Sequence, residues 1–378
     1  MALGHIETDV LVVGAGICGV SAALALQRRG IDYRIVERHS TGWGASTRNA
    51  GFLMRGAAEN YKRAVELYGR ELARTVWRWT EENVEGLRRE GIDSLATYQR
   101  IPSCLLALDD EERDELLTSV ELLKRDGFET AWVESGEDTA WKLGRPRGGL
   151  MNPGDSACNS FELMRFLGGK LRQQVIEHQE VAEIRAESGK VRVRTSDAVI
   201  TPRRVLLCIN AFLPLLLPGL AAIITARRGQ MLALANSGLR LDCSYYANHG
   251  YEYFRQTTDG TVLVGGCRRR HAEQECGYED RTTPGVQNDL EAFASRMLGI
   301  ARGDLRVRAR WSGTMGFSPD GLPLVGAVPG EWDQGTVWFC GGFTGHGMSM
   351  AHRTAEAAVE EMTGGAASPF PLSRVLPG

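Results

Sequence analysis

The sequence has no long hydrophobic run and no strong charge of either sign. Its most apolar stretches, residues 10–13 and 205–209, are far shorter than the roughly 18 residues that span a bilayer. The formal net charge is −3 and no basic stripe is present, which argues against nucleic acid as a partner. Residues 1–9 lack a basic region followed by an apolar core, so no secretory signal is expected. We therefore expect a cytoplasmic protein without a membrane span, with an oligomer left open.

The cysteines form no recognisable pattern. There are eight of them, scattered, with no Cys-x-x-Cys pair and no spacing typical of metal ligands. We therefore expect ordinary reduced thiols and no metal site.

The pattern of apolar residues predicts two domains, each built from separated segments. A chain of 378 residues is long enough for two hydrophobic cores. A strand–helix–strand unit comes first, and long amphipathic helices then interrupt it. The predicted strands lie at 9–13, 33–36, 181–199 with a turn at Gly189, 205–209, 230–234, 251–255, 262–264 and 337–340. The predicted helices lie at 17–29, 61–68, 71–90, 110–126, 286–297 and from about 347 to 362.

The first unit carries a glycine fingerprint for a dinucleotide. Glycines at 14, 16 and 19 follow a strand and open a helix, which is the context that gives this pattern its meaning. They permit a tight turn, a close approach to a pyrophosphate and close helix packing. Glu37, at the end of the second strand, is expected to accept hydrogen bonds from ribose hydroxyls. The fingerprint serves both FAD and NAD. The predicted contacts are Gly14, Ala15, Gly16, Ile17, Cys18, Gly19, Glu37 and Arg38.

A loop of small polar residues follows the second strand. It can track an extended dinucleotide, with Ser46 and Arg48 near the pyrophosphate and residues 49–51 against a flavin ring. An ordinary surface loop is the alternative. The predicted contacts are Gly44, Ala45, Ser46, Arg48, Asn49, Ala50 and Gly51.

A second glycine-rich segment, residues 341–348, precedes the last helix. Glycines at this density let the backbone lie flat against a ring, and the helix N-terminus points its positive dipole at whatever lies there. Reduced flavin carries negative charge that this dipole would stabilise, whereas a nicotinamide needs no comparable stabilisation. The segment therefore favours a flavin.

These motifs together carry a family resemblance. The fingerprint, Glu37, the loop at Ser46, residues 320–326 and residues 342–347 occur in an order and spacing similar to those of the D-amino acid oxidase, glycine oxidase and sarcosine oxidase superfamily, including its γ-glutamylputrescine oxidase branch. The resemblance covers nearly the whole chain. It implies FAD, with further contacts from Val181, Asn210, Ala211, Gly342, Phe343, Thr344, Gly345, His346, Gly347 and Met348.

The resemblance also implies the fold class. We expect an α/β FAD-binding Rossmann-like domain of the glutathione reductase type, interleaved with an α+β substrate domain built on an antiparallel sheet. The FAD-binding domain is expected to comprise 1–56, 150–225 and 320–378, and the substrate domain 57–149 and 226–319.

The chemistry implied is oxidation of a C–N bond. A hydride passes from the carbon next to an amine nitrogen to flavin N5, and water hydrolyses the resulting imine. Oxygen is the expected acceptor, giving hydrogen peroxide. The alternatives are a dehydrogenase that passes electrons to a quinone or protein, an NAD-dependent reductase, and a flavin-binding protein without turnover.

Several positions depart from the pattern of these relatives. The arginine that holds the substrate carboxylate in glycine oxidase-like enzymes corresponds to Met315, which favours a substrate without an adjacent carboxylate. Positions of covalent flavin attachment correspond to Asn49 and Gly313, so non-covalent FAD is expected. The substrate-site candidates are His346, Tyr251, Met315, Arg255 and Tyr253, with Tyr245, Tyr246 and His249 considered for an entrance loop.

Overall fold

The computed structural model describes residues 4–135, 146–187, 190–235, 238–332 and 335–376. In chain order the strands are β1 (Gly4–Val13), β2 (Tyr33–Val36), β3 (Phe52–Leu53), β4 (Ser103–Leu106), β5 (Ala131–Glu134), β6 (Gly148–Asn152), β7 (Ser156–Ala157), β8 (Glu183–Glu187), β9 (Lys190–Arg194), β10 (Ala198–Leu207), β11 (Thr225–Leu234), β12 (Ser244–Ala247), β13 (Glu252–Gln256), β14 (Val262–Gly266), β15 (Val307–Phe317), β16 (Leu324–Ala327) and β17 (Val337–Gly341). The α-helices are α1 (Ile17–Arg28), α2 (Tyr61–Tyr68), α3 (Arg70–Arg89), α4 (Asp110–Arg125), α5 (Ser160–Gly168), α6 (Leu213–Leu216), α7 (Pro284–Leu298) and α8 (Gly347–Met362).

The first sheet has the strand order β16-β17-β10-β1-β2, with β9 and β8 continuing from β10. The strands β17, β10, β1 and β2 run parallel, whereas β16 and β9 are antiparallel to their neighbours. Val10 and Val12 pack in the core that contains α1 and α8, and Leu11 and Val13 pack in a second core with Ile184. Both faces of β1 are therefore covered, which explains its unbroken apolar run.

The second sheet has the order β15-β11-β14-β13-β12-β4-β6-β5 and is antiparallel except between β4 and β12. One face packs against α7, where Phe293 meets Phe254. The other face carries Met231 and Tyr253 and is turned toward β3. The predicted fold class, a Rossmann-like unit interleaved with a unit on an antiparallel sheet, is confirmed. The predicted limits of the two domains stay a prediction, and the limit at 150 falls inside β6.

The helices between β3 and β6 lie close to the predicted positions. The helix predicted at 71–90 spans Arg70–Arg89, and the one predicted at 110–126 begins after Asp109, whose side chain accepts a hydrogen bond from the Glu112 N–H at 2.8 Å. The turn expected at Gly189 lies outside the described residues. Among the residues that are described, every helix is too short or too polar to cross a membrane.

Candidate active site

The glycine fingerprint forms the tight turn between β1 and α1. Gly14 has a φ of +97°, and a Cβ on it would lie 2.8 Å from the Cys208 carbonyl oxygen. A Cβ on Gly19 would overlap the Gly14 carbonyl oxygen. Only glycine therefore lets the first turn of α1 approach the end of β1 this closely.

The loop after β2 folds against the N-terminus of α1. The Ser46 Oγ accepts a hydrogen bond from the Ile17 N–H at 2.9 Å, and the Gly42 N–H donates to the Ala15 carbonyl at 2.9 Å. A Cβ on Gly16 would lie 2.9 Å from the same Ser46 Oγ. Two segments predicted to contact a pyrophosphate are thus neighbours in space.

Glu37 holds the backbone around this turn. Its Oε2 accepts from the Ala15 N–H at 2.8 Å and its Oε1 accepts from the His39 N–H at 2.9 Å. The Gln179 N–H donates to the Glu37 carbonyl at 2.8 Å, which brings the segment leading to Val181 alongside. Each carboxylate oxygen keeps a second lone pair for a ribose hydroxyl.

Residues 48–51 connect the two sheets. The Arg48 Nη1 lies 2.5 Å from the Asp280 Oδ2 and donates to the Ser312 carbonyl at 3.2 Å. Asn49 stabilises the loop, because its Oδ1 accepts from the Gly51 N–H at 2.7 Å and its Nδ2 donates to the Ala45 carbonyl at 2.9 Å. Both side chains are engaged by protein groups.

Arg255 lies beneath this loop rather than in the open site. Its side chain is buried, and it donates to the Ala50 carbonyl and, at 2.7 Å, to the Cys158 carbonyl. The strand alternation that groups Arg255 with Tyr251 and Tyr253 is correct, but the far end of that face is covered by residues 49–51. The geometry makes Arg255 a positioning residue.

The glycine-rich turn leads directly into α8. Gly342 and Gly345 have φ values of +73° and +86°, and Thr344 between them has +48°. The Gly342 N–H donates to the Asn210 Oδ1 at 2.9 Å, and the Thr344 N–H donates to the Gly316 carbonyl at 2.9 Å. Asn210, in the segment after β10, and strand β15 therefore fix the turn from two sides.

A cleft of about 910 Å³ separates these segments from the second sheet. The predicted cofactor and substrate-site residues that line it are Gly16, Ile17, Cys18, Ala45, Ser46, Arg48, Asn49, Ala50, Gly51, Asn210, Tyr251, Tyr253, Met315, Phe343, Thr344, Gly345, His346, Gly347 and Met348. Of the residues considered for an entrance loop, Tyr246 and His249 line the cleft and Tyr245 does not. The predicted residues outside this lining are Gly14, Ala15, Gly19, Glu37, Arg38, Gly44, Val181, Ala211, Arg255 and Gly342.

An aromatic wall faces the glycine-rich turn across the cleft. The ring centroids of Tyr246 and Tyr253 lie 5.4 Å apart, and that of Phe52 lies 5.1 Å from Tyr246. Burial raises the pKa of Tyr253 to about 12 and raises that of Tyr246 above its usual range. Both phenols therefore stay protonated at neutral pH.

Met315 lies between β11 and the glycine-rich turn. A Cβ on Gly229 would lie 2.8 Å from the Met315 Cε, and a Cβ on Gly345 would lie 3.8 Å from its Sδ. The thioether thus forms an apolar part of the cleft next to the predicted flavin side.

Arg268 is a cation in the cleft that the sequence analysis missed. Its guanidinium carbon lies 4.5 Å from the centre of the Phe317 ring and 5.9 Å from that of Tyr251. Its side chain has no hydrogen bond and no ion pair within the part of the chain that the structure describes. The signal was a run of three arginines that begins two residues after the end of β14. Alternation along β13 drew the prediction to Arg255 instead.

His346 directly precedes α8 and lines the cleft. Its N–H donates to the Phe343 carbonyl at 2.8 Å, and its carbonyl accepts from the Ser349 N–H at 3.1 Å. Burial, reinforced by the charge of Arg268, lowers the pKa of His346 to about 4. The imidazole is therefore neutral at pH 7.

The fold and these glycine turns define a flavin-dependent oxidoreductase. Residues 9–361 match the family described as FAD dependent oxidoreductase, and the chain belongs to that family. It uses FAD as its cofactor.

Named relatives extend this result. The chain is 25% identical to the gamma-glutamylputrescine oxidoreductase of Escherichia coli K12, over 98% of this chain and 89% of that protein. Its fold is similar to that of L-proline dehydrogenase from P. horikoshii, with a TM-score of 0.81 and 20% identity over 97% of this chain and 96% of that one. It is also similar to that of glycine oxidase from Geobacillus kaustophilus, with a TM-score of 0.80 and 19% identity over 98% of this chain and 100% of that one. The expected superfamily and branch are thereby confirmed.

Proposed function

We propose that this chain oxidises the C–N bond of a small amine or amino acid to an imine, with oxygen as the electron acceptor and hydrogen peroxide as the product. When bound, FAD supplies the hydride acceptor, its N5 atom. The observation that carries the proposal is the cleft itself. A glycine-rich turn and a helix N-terminus form one side, and aromatic rings with Arg268 form the other.

The N-terminal segments fit an extended dinucleotide. The start of α1 offers its N–H groups to the pyrophosphate beside Ser46, and Glu37 offers free lone pairs to the ribose. We propose that further contacts to the dinucleotide come from Arg38, Gly44, Val181 and Ala211. The Asn49 side chain, at one position of covalent attachment, is engaged by the Gly51 N–H and the Ala45 carbonyl, which agrees with non-covalent FAD.

The start of α8 stabilises negative charge in the cleft. His346 precedes the helix and Gly347 and Met348 form its first turn, so their N–H groups lack partners within the helix. Partial positive charge at this end favours an anion, which is what a two-electron oxidation leaves at the cofactor.

Arg268 is proposed to bind the substrate carboxylate in place of an arginine at Met315. It is half-buried, unpaired in the described structure and near Tyr251, so a carboxylate that reaches it gains a charge-assisted hydrogen bond. Tyr251 and Tyr253 then orient the rest of the molecule. This placement favours an amino acid over a plain amine.

His346 is proposed to act through shape and hydrogen bonding. A pKa of about 4 makes its imidazole a weak proton acceptor at neutral pH. The amine must therefore reach the cleft with its nitrogen already unprotonated, or lose its proton to water.

An anaerobic reduction screen tests the proposal. Bleaching of the flavin by D- or L-amino acids, N-methyl amino acids or polyamines supports it, and admission of oxygen should then release hydrogen peroxide. Reduction without peroxide release would favour the dehydrogenase with a quinone or protein acceptor. No reduction by any of these compounds would leave a flavin-binding protein without turnover.

A further inference from the structure

A second pocket opens from the cleft beside His346. This inner pocket is lined by Met54, Arg55, Trp77, Leu150, Asn152 and Tyr246, among others, and lies between α2, α3, α4 and the second sheet. Met54, Tyr246 and His346 also line the cleft, so the two spaces are adjoining. Whatever occupies the inner pocket can belong to the same molecule that reaches the cleft.

Three of the polar side chains that line the inner pocket have partners within the protein. The Asn60 Oδ1 accepts from the Arg63 N–H at 3.0 Å, the Tyr61 hydroxyl donates to Asp126 at 2.5 Å, and the carboxylate of Glu112 accepts from the Leu108 N–H at 2.9 Å. These groups need no ligand.

Arg55 and Asn152 differ from these groups. Among the described residues, the Nε and Nη1 of Arg55 and the Oδ1 of Asn152 have no hydrogen-bond partner, although both side chains are buried. The Arg55 Nε lies 3.3 Å from the Glu81 Oε1, which balances charge without hydrogen-bond geometry. Buried donors and acceptors are almost always paired, so these three atoms indicate a missing partner.

A hydrogen-bond chain fixes what each residue presents. The Ser103 hydroxyl donates its only proton to the Asp155 Oδ2 at 2.5 Å, so its oxygen accepts from the Asn152 Nδ2 at 3.4 Å. Asn152 therefore leaves its carbonyl oxygen unpaired. The Arg55 N–H donates to the other oxygen of Asp155 at 3.0 Å, so this carboxylate links the Arg55 backbone to Ser103 and, through Ser103, to Asn152.

The size of the inner pocket limits the ligand. Its volume is about 50 Å³. At roughly 10–15 Å³ for each water-sized atom, it admits about four non-hydrogen atoms. Apolar side chains such as Trp77 and Leu150 form much of the wall, so the ligand group is short and mostly surrounded by hydrocarbon.

We propose that the inner pocket binds a carboxamide at the end of the substrate opposite the oxidised C–N bond. The amide oxygen accepts from the Arg55 Nε or Nη1, and the amide N–H donates to the Asn152 Oδ1. A carboxylate can accept hydrogen bonds from Arg55, but its second oxygen would face the Asn152 Oδ1, and two acceptors repel each other. The inference rests on the proposed function, since it assigns the distal part of the same substrate.

The test is equilibrium binding to the FAD-loaded enzyme, followed by perturbation of the visible flavin spectrum. Glutaramate is compared with its methyl ketone analogue, with glutarate and with hexanoate, which share chain length and one carboxylate. Butyramide and its methyl ketone analogue repeat the comparison without a carboxylate. Because no turnover is required, the result is independent of whether the chain is an amine oxidase and of Arg268.

Three variants locate the effect. Asn152→Leu removes the acceptor, and Arg55→Met removes the donors. Arg78→Met is the matched control, because Arg78 also stacks on Phe128, at 4.3 Å, and pairs with Glu81, at 2.7 Å, but does not line the inner pocket.

We expect each amide to bind roughly tenfold more tightly than its ketone in the wild-type and Arg78→Met proteins. The preference should disappear in Asn152→Leu, whereas Arg55→Met should weaken binding of each amide and its ketone together, because both carry the carbonyl oxygen that accepts from Arg55. The proposal is overturned if, in the wild-type protein, neither amide binds more tightly than its own methyl ketone analogue. It is also overturned by an amide preference that survives in Asn152→Leu, or by tighter binding of glutarate than of glutaramate.

Discussion

Ser46 and Ile17 lie 29 positions apart, and the Ser46 hydroxyl accepts a hydrogen bond of 2.9 Å from the Ile17 N–H. This bond ties the loop after β2 to the first turn of α1. It satisfies one of the unpaired N–H groups at the helix start and holds the surface on which the pyrophosphate is proposed to lie.

Ser46→Ala should weaken FAD binding about fivefold, because loss of a side-chain cap costs about 1 kcal/mol. Titration of the apoprotein with FAD measures this. Ser94→Ala is the control, since its exposed hydroxyl donates to the Gly91 carbonyl far from the loop. Equal FAD affinity in the two variants would contradict the role given to Ser46.

Gly19→Ala should destabilise the fold and abolish retention of FAD. A Cβ at this position overlaps the Gly14 carbonyl oxygen, so α1 must move away from β1, at a cost of about 3 kcal/mol. Denaturant unfolding and flavin content measure the two effects. Gly303→Ala, where a Cβ meets no atom within 4 Å, should behave as wild type.

Arg255→Met should lower FAD retention without changing substrate selectivity. The Ala50 and Cys158 carbonyls lose their donors, and each unpaired buried group costs about 1–3 kcal/mol. The loop at 49–51 then loosens. KM measured at saturating FAD separates loss of FAD from loss of substrate binding. Arg255→Met should then show a normal KM, whereas Tyr251→Phe should show a raised KM with normal FAD retention. A raised KM with normal FAD affinity in Arg255→Met would assign it to the substrate.

Arg268→Met should raise KM for amino acids at least about tenfold and leave KM unchanged for the matching amines without a carboxylate. Met315→Arg alone should bring no gain, because Arg268 already supplies the charge. When it is combined with Arg268→Met, Met315→Arg should partly restore the low KM for amino acids. Arg270→Met, at an exposed position of the same arginine run, is the control. Improved amino-acid reduction by Met315→Arg alone would show that the carboxylate site is missing in the wild type.

The protein should lose stability as the pH falls below 6.5. Burial lowers the pKa of His352 to about 3, and this ring hydrogen-bonds Ser21 at 3.0 Å. The unfolded chain then binds more protons than the folded one between pH 6.5 and 3, so the stability present above pH 6.5 is lost on acidification. His352 alone contributes about 3 kcal/mol of this loss by pH 4.5. Denaturant unfolding of His352→Gln, with exposed His5→Gln as control, should show a shallower pH dependence only for the former.

Local sequence patterns were sufficient for the elements that depend on near neighbours. The turn at Gly14 to Gly19, the helix after it and the glycine-rich turn before α8 lie where the sequence predicts them. Their geometry is set by residues a few positions apart, so a strand that ends in glycines and opens a helix has one structure available to it. The resemblance to flavin enzymes followed from the order of such local motifs.

The placement of charges was decided by the tertiary structure. Strand alternation puts Tyr251, Tyr253 and Arg255 on one face, but only folding shows that residues 49–51 cover Arg255, whereas Arg268, just after β14, lines the cleft. Likewise, Asn152 meets Ser103 only because β4 and β6 pair, and the Asp155 carboxylate then joins Ser103 to the Arg55 backbone. The sequence by itself determined which cofactor this chain uses and where its glycine turns lie, since those depend on short segments. Which side chains face the substrate depends on what packs opposite each strand, and contacts between distant segments decide that.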